Sequence, residues 1–119
     1  VLTAGKHGST FGGNPVCSAA AISVLERIDD ALLSEVTKKS EFIKNELKGA
    51  KGIKSISGMG LMLGIETERE AKEVIKECME NGVLVLSAKT KVRLLPPLNI
   101  SYENLSKALN VLKEATANV

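Results

Sequence analysis

Two hydroxyl side chains, Ser9 and Thr10, stand among Gly8, Gly12 and Gly13 in the stretch Gly5–Pro15, which reads GKHGSTFGGNP. A glycine-rich loop lets backbone N–H groups approach a ligand, and hydroxyls within it donate to the ligand's oxygens, so the combination suits a phosphate or a carboxylate. The same spacing also fits a plain loop that only leads into a helix. Asn14 is a strong N-cap, and Pro15 suits the first helical position, where its missing N–H would have had no intrahelical partner. The stretch is not a P-loop, because no Gly-Lys pair closes it and Lys6 lies at the wrong end.

Arg93 is the second residue with chemical potential. Its neighbours Val92, Leu94 and Leu95 are apolar, and only two residues separate it from the rigid pair Pro96-Pro97. A guanidinium set on a stiff element is a natural bidentate partner for a carboxylate and can orient an amino-acid substrate. Spacing alone equally allows an edge-strand arginine that reaches solvent.

The elements that must position these groups follow from periodicity. A first helix is predicted from Pro15 to about Ile28, with Cys17, Ala21, Val24, Leu25 and Ile28 on one stripe. A second runs from about Ala31 to Leu47, with Leu32, Val36, Ile43 and Leu47 at helical spacing and Gly49 as its stop. Its other residues are highly charged, and the Lys38-Lys39 pair reads as solvated surface. After Gly52 come a short strand at Ile53–Ile56, a turn or bulge at Gly58-Met59-Gly60, and a buried strand at Leu61–Glu66. A dinucleotide fingerprint fails there, because its third glycine falls on Leu63. Thr67 to Glu70 matches a capping box, and a helix through Ala71, Val74, Ile75 and Cys78 should end at Asn81-Gly82. Val83–Leu86 reads as a strand buried on both faces, followed by a polar turn at Lys89-Thr90 and a strand at Lys91–Leu95. A last helix capped by Ser101 should bury Leu105, Ala108, Leu109 and Leu112. The order β-β-α-β-β-α implies an α+β unit, a small mostly antiparallel sheet with helices on one side.

Composition narrows the function classes. At 119 residues the chain is long enough to bury a core, about two-thirds of its unfolded surface. Sixteen basic and fourteen acidic residues leave +2, with no basic run and few aromatic residues, which argues against a nucleic-acid surface. Small anions or other protein surfaces are the expected partners. Cys17 and Cys78 form no metal-ligand cluster and sit inside helical patterns, so both are expected to be buried, reduced thiols. No apolar run reaches the roughly 18 residues of a membrane span and no signal pattern opens the chain, so a soluble cytoplasmic protein is expected. Val1-Leu2-Thr3-Ala4 leads straight into the loop, which reads as a cut inside a longer protein.

The ordered run His7-Gly8-Ser9-Thr10-Phe11-Gly12-Gly13-Asn14-Pro15 resembles the signature just beyond the cofactor lysine of class III pyridoxal-phosphate aminotransferases. Val92-Arg93-Leu94-Leu95-Pro96-Pro97-Leu98 and Gly58-Met59-Gly60-Leu61-Met62-Leu63-Gly64 are similar to segments of the acetylornithine and ornithine members of that family. The likeness spans nearly the whole chain, and its Phe11 loop variant is most similar to the acetylornithine members. It implies the carboxy-terminal small domain of a fold-type I transferase, divided as a cofactor-phosphate loop at 1–14, linking helices at 15–49 and an α/β small domain at 50–119. It also implies that Thr10, assisted by Ser9, binds the phosphate of pyridoxal phosphate across a homodimer interface, and that Arg93 binds the substrate α-carboxylate. The implied reaction moves an amino group from N-acetylornithine, or ornithine, to 2-oxoglutarate in arginine biosynthesis.

The family's cofactor lysine, the acid facing the pyridine nitrogen and the aromatic stacked on the ring belong to its large domain. They have no matching positions here, and Lys6 is too close to the motif to be that lysine. No catalytic residue and no metal ligand is therefore assigned, His7 is expected to make a structural hydrogen bond, and the chain by itself is expected to be inactive. Two other classes stay open: a stand-alone regulatory module that binds an amino acid through Arg93, and a structural interaction domain whose loop only caps a helix.

Overall fold

A computed structural model describes residues 3, 5 and 7–118. Lys6 and the opening residues Val1, Leu2 and Ala4 lie outside the described residues. The chain divides into two compact units, Val1–Asp30 and Ala31–Val119.

The first unit holds the glycine-rich loop and α1 (Pro15–Leu25). Asn14 caps the helix as expected: its side-chain oxygen accepts the Cys17 N–H at 2.9 Å, and Pro15 takes the first turn. The helix stops three residues short of the predicted Ile28. The N–H groups of Arg27 and Ile28 donate to the carbonyls three residues back, Val24 and Leu25, and so tighten the chain out of α geometry. No residue of α1 is buried, and Cys17 is exposed rather than buried. The predicted stripe has no core of its own to face, because this helix is apolar on all sides.

The second unit contains α2 (Asp30–Leu47), β1 (Ile53–Met59), β2 (Met62–Thr67), α3 (Ala71–Glu80), β3 (Leu86–Ala88), β4 (Lys91–Leu94) and α4 (Tyr102–Ala117). The strands form one antiparallel sheet in the order β1-β2-β4-β3. Leu63, Ile65 and Val92 face the helices and pack with Ile43 and Leu47 of α2, Val74 and Cys78 of α3, and Leu105, Leu109 and Leu112 of α4. The expected α+β fold, with helices on one side of a small sheet, is what forms. α2 contributes Ile43 and Leu47 to this core, and the compact units divide between Asp30 and Ala31.

Five local expectations differ. The first strand runs on through Gly58 to Met59. There the φ of +128° and a notional Cβ only 2.1 Å from the Met62 carbonyl oxygen require glycine. The capping box does not form: Thr67 is the buried last residue of β2, its hydroxyl donates to the Arg69 carbonyl at 2.8 Å, and Glu70 sits at the N-cap without a side-chain cap. Val83–Leu86 is not a doubly buried strand. Only Leu86–Ala88 pairs, on the sheet edge, and Leu84 is 84% exposed. Ala108 is only half-buried, whereas Ala115 and Thr116 further along α4 are buried. Lys39 is not surface either: only 7% exposed, its ammonium donates to the Leu98 carbonyl at 3.1 Å and lies 5.8 Å from the Tyr102 ring centroid. Lys38 does remain outside, paired with Glu35.

Candidate functional site

In the first unit, Ser9 and Thr10 lie in consecutive exposed turns. The Gly12 N–H donates to the Ser9 carbonyl at 3.4 Å, and both the Asn14 N–H and the Asn14 amide donate to the Phe11 carbonyl. These bonds use backbone groups and the Asn14 side chain only. Neither the Ser9 nor the Thr10 hydroxyl has a hydrogen-bond partner among the described residues, so both are free to donate to an anion's oxygens. A Cβ on Gly12 would lie 3.2 Å from the Ser9 Cβ, so a larger residue there would crowd Ser9. His7 is exposed, and the structural hydrogen bond expected of it is not found among the described residues.

In the second unit, alternation along β4 turns Val92 into the core and Arg93 onto the opposite face of the sheet. In the strand register Arg93 lies between Gly64 of β2 and Leu86 of β3. A Cβ on Gly64 would meet the Lys91 Cδ at 3.4 Å and the Ser57 Oγ at 3.5 Å, so the space over that glycine is taken by the Lys91 stem. Lys91 shares the face, but its ammonium is already engaged by Ser57 Oγ at 3.1 Å and Glu66 Oε2 at 3.9 Å. The Ser55 hydroxyl holds that same Glu66 oxygen at 2.8 Å.

Arg93 has no such partner. It is half-buried, its Nε is enclosed without a hydrogen bond, and no carboxylate among the described residues pairs with it. The contrast with Arg69 in the same unit is direct. Arg69 Nη1 donates to Glu77 Oε2 at 2.7 Å and to the Ala115 carbonyl at 2.6 Å. An enclosed charged donor left unpaired costs on the order of 1–3 kcal/mol, so a carboxylate that meets the fork recovers more than it would in water. An apolar cavity of about 380 Å³ opens beside it, lined in part by Leu84, Leu86, Leu95, Pro96 and Leu109.

Sequence reasoning singled out Ser9, Thr10 and Arg93 as candidates and passed over two residues near β4. One is Gly64, visible only once the strand register is known. The other is Lys39, whose ammonium holds the loop that follows β4. Its signal was present, since Lys39 falls seven residues after Leu32 and four before Ile43, on the buried stripe of α2. The remaining electrostatics are structural. Cys78 is buried and its thiol is pushed up by desolvation. Among the described residues no group of three or more His, Cys, Asp or Glu side chains is arranged to hold a metal ion. None of their helices is long and apolar enough to cross a membrane.

Residues 1–116 match the family model for aminotransferase class-III. The acetylornithine aminotransferase of Haemophilus ducreyi is 42% identical over 120 residues, which cover 99% of this chain and 30% of that protein. That of Lactococcus lactis is 44% identical, covering 95% and 32%. Among solved structures, the acetylornithine aminotransferase of Elizabethkingia anophelis superposes with a TM-score of 0.79 at 27% identity, covering 99% of this chain and 34% of that one. An ornithine aminotransferase of Toxoplasma gondii, whose active site holds PLP at partial occupancy, gives 0.77 at 30% identity, covering 99% and 30%. The chain therefore spans about a third of the length of the relatives it matches.

Proposed function

The chain belongs to the class-III aminotransferase family, and on that premise we propose that it is the carboxy-terminal part of a pyridoxal-phosphate-dependent acetylornithine or ornithine aminotransferase. In this reading the whole enzyme moves an amino group from N-acetylornithine, or ornithine, to 2-oxoglutarate in arginine biosynthesis, as a cytoplasmic homodimer. Bound pyridoxal phosphate supplies an electron sink that makes the substrate α-proton acidic.

The residues present fit that cofactor and substrate at two points. Thr10 and Ser9 offer free hydroxyls to the phosphate of the facing subunit's cofactor, on a loop held by the Asn14 cap. Arg93 offers its fork to the substrate α-carboxylate. The observation that carries the proposal is the unpaired, enclosed Nε of Arg93 on the open face of the sheet, a cation whose counter-charge the described chain does not supply.

The test is Arg93→Ala in the full-length enzyme. Loss of a charge-assisted contact worth about 1.5–3 kcal/mol predicts a KM for the amino donor that rises roughly 10- to 150-fold, with cofactor affinity unchanged. Thr10→Ala should do the reverse, weakening cofactor retention about tenfold or more in a dialysis and absorbance assay while the amino-donor KM of the reloaded enzyme holds. An Arg93→Ala enzyme with wild-type KM would remove Arg93 from the substrate site. The regulatory-module alternative predicts instead that the isolated chain binds arginine or ornithine tightly in a calorimetric titration.

A further inference from the structure

The segment 95–100 joins β4, which carries Arg93, to the cap of α4. Within it the Ile100 N–H donates to the Pro97 carbonyl, which closes a local turn. Pro96 and Pro97 have no N–H to give, and their ring-locked φ angles make the step from Leu95 to Leu98 stiff. Among the described residues, a single hydrogen bond ties this segment to another part of the chain: Lys39 Nζ to the Leu98 carbonyl, 3.1 Å. Lys39 is buried, yet no carboxylate among the described residues lies within ion-pair distance of it. Its charge is met by that carbonyl, by the face of Tyr102, which Phe42 of α2 holds edge-on at 5.4 Å, and at longer range by Glu35, whose carboxyl Lys38 lowers first and Lys39 further.

A buried ammonium that meets one carbonyl, one ring and a carboxylate a helical turn away is a modest device for stability, because desolvation of the charge opposes those contacts. Methionine at position 39 would keep the length and apolar character of the stem without the charge. What the ammonium does, and methionine would not do, is fix one carbonyl at the far end of a stiff di-proline connection from Arg93. We infer that Lys39 is a positioning residue for Arg93, holding the 95–100 segment through the Leu98 carbonyl so that the end of β4 presents the guanidinium to a substrate carboxylate. This rests on the assignment of Arg93 to carboxylate binding.

The test uses the full-length, cofactor-loaded enzyme with Lys39→Met, Arg93→Ala and the double variant. The readouts are KM and kcat for the amino donor, inhibition by pentanoate as a carboxylate with no amino group to transfer, and the thermal midpoint. Lys39→Met should raise KM and the pentanoate inhibition constant together by about tenfold, with kcat within about twofold and the midpoint unchanged or higher. In the Arg93→Ala background the same change should move KM by less than about twofold, because the contact it serves is already gone. Lys39→Gln, which keeps a neutral donor on a shorter stem, should give a smaller rise, and it carries the test if the methionine variant does not fold. If Arg93→Ala raises KM while Lys39→Met and Lys39→Gln leave it at the wild-type value, the positioning role is overturned and the role of Arg93 stands. An equal KM rise with and without Arg93, or a lowered midpoint with unchanged KM, makes Lys39 merely structural. If Arg93→Ala itself leaves KM unmoved, the carboxylate assignment is what fails, and the inference falls with it.

Discussion

Two arginines in the sheet unit divide the roles that guanidinium groups take. Arg69 is saturated: it links the start of α3 to the end of α4 through Glu77 and the Ala115 carbonyl, and Asn118 adds a second donor to the Glu77 carboxylate. Those contacts hold the Glu77 carboxyl below the usual carboxylate range, Arg69 first and Asn118 second. A carboxyl whose folded pKa is depressed stabilises the fold above its unfolded pKa, and that contribution fades as pH falls through the folded one. Acid titration of the chain, followed by circular dichroism, should therefore show the midpoint temperature of Glu77→Gln falling less between pH 6 and pH 3 than that of the wild type. At neutral pH the variant should be the less stable of the two. Equal acid slopes would mean that the Arg69 contact does not couple to folding. Arg93, by contrast, pairs with no carboxylate among the described residues, which leaves it available for the proposed carboxylate contact.

At the scale of elements, the sequence was most legible where one local rule acted alone. Asn14-Pro15, Ser101 and Asn81-Gly82 ended or began helices as their chemistry dictates, and the antiparallel sheet followed from the order of strands and helices. It was least legible where two rules competed. Thr67 and Glu70 have the spacing of a capping box, but Thr67 is drawn into β2 and its hydroxyl turns to Arg69, so strand pairing won. Val83-Leu84-Val85-Leu86 has the composition of a central strand, yet it lies at an edge, where only one neighbour exists. Lys39 was misread because residue type outweighed its place on the stripe. Ser9, Thr10 and Arg93 could be picked out by type and motif, whereas Gly64 needed the register. The failed cap has a measurable consequence. Glu70 is exposed at the N-cap of α3 and its side chain accepts no cap hydrogen bond, so Glu70→Ser should stabilise the unit by roughly 0.5–1 kcal/mol, since a serine hydroxyl there accepts from an N–H of the first turn. A thermal midpoint about 2–8 °C higher is the expected result, and an unchanged or lower one would mean that Glu70 is already serving α3 another way.

At the scale of the molecule, the two units differ in how far each can stand by itself. The sheet unit has a continuous core from Ile43 to Ala115. The first unit has α1, eleven residues long, apolar all round and without one buried residue. A helix of that length is marginal in water, and one that is apolar on every side belongs inside a larger core. The loop bearing Ser9 and Thr10 is anchored to this helix through the Asn14 cap, so the order of those two hydroxyls depends on the order of α1. If the proposed enzyme is the whole of which this chain is a third, α1 is ordered by surfaces that the other two-thirds, or a second subunit, provide. Hydrogen exchange on the isolated 119-residue chain should then give α1 amides that exchange at nearly unprotected rates, against slow amides at Leu63, Ile65 and Leu109. The isolated chain should accordingly show no measurable transamination with added pyridoxal phosphate. In the full-length enzyme the α1 amides should become as protected as those of the sheet unit. Protection of α1 in the isolated chain equal to that of α4 would mean that the loop is organised without a larger assembly, and the dependence of Ser9 and Thr10 on the rest of the proposed enzyme would be overturned.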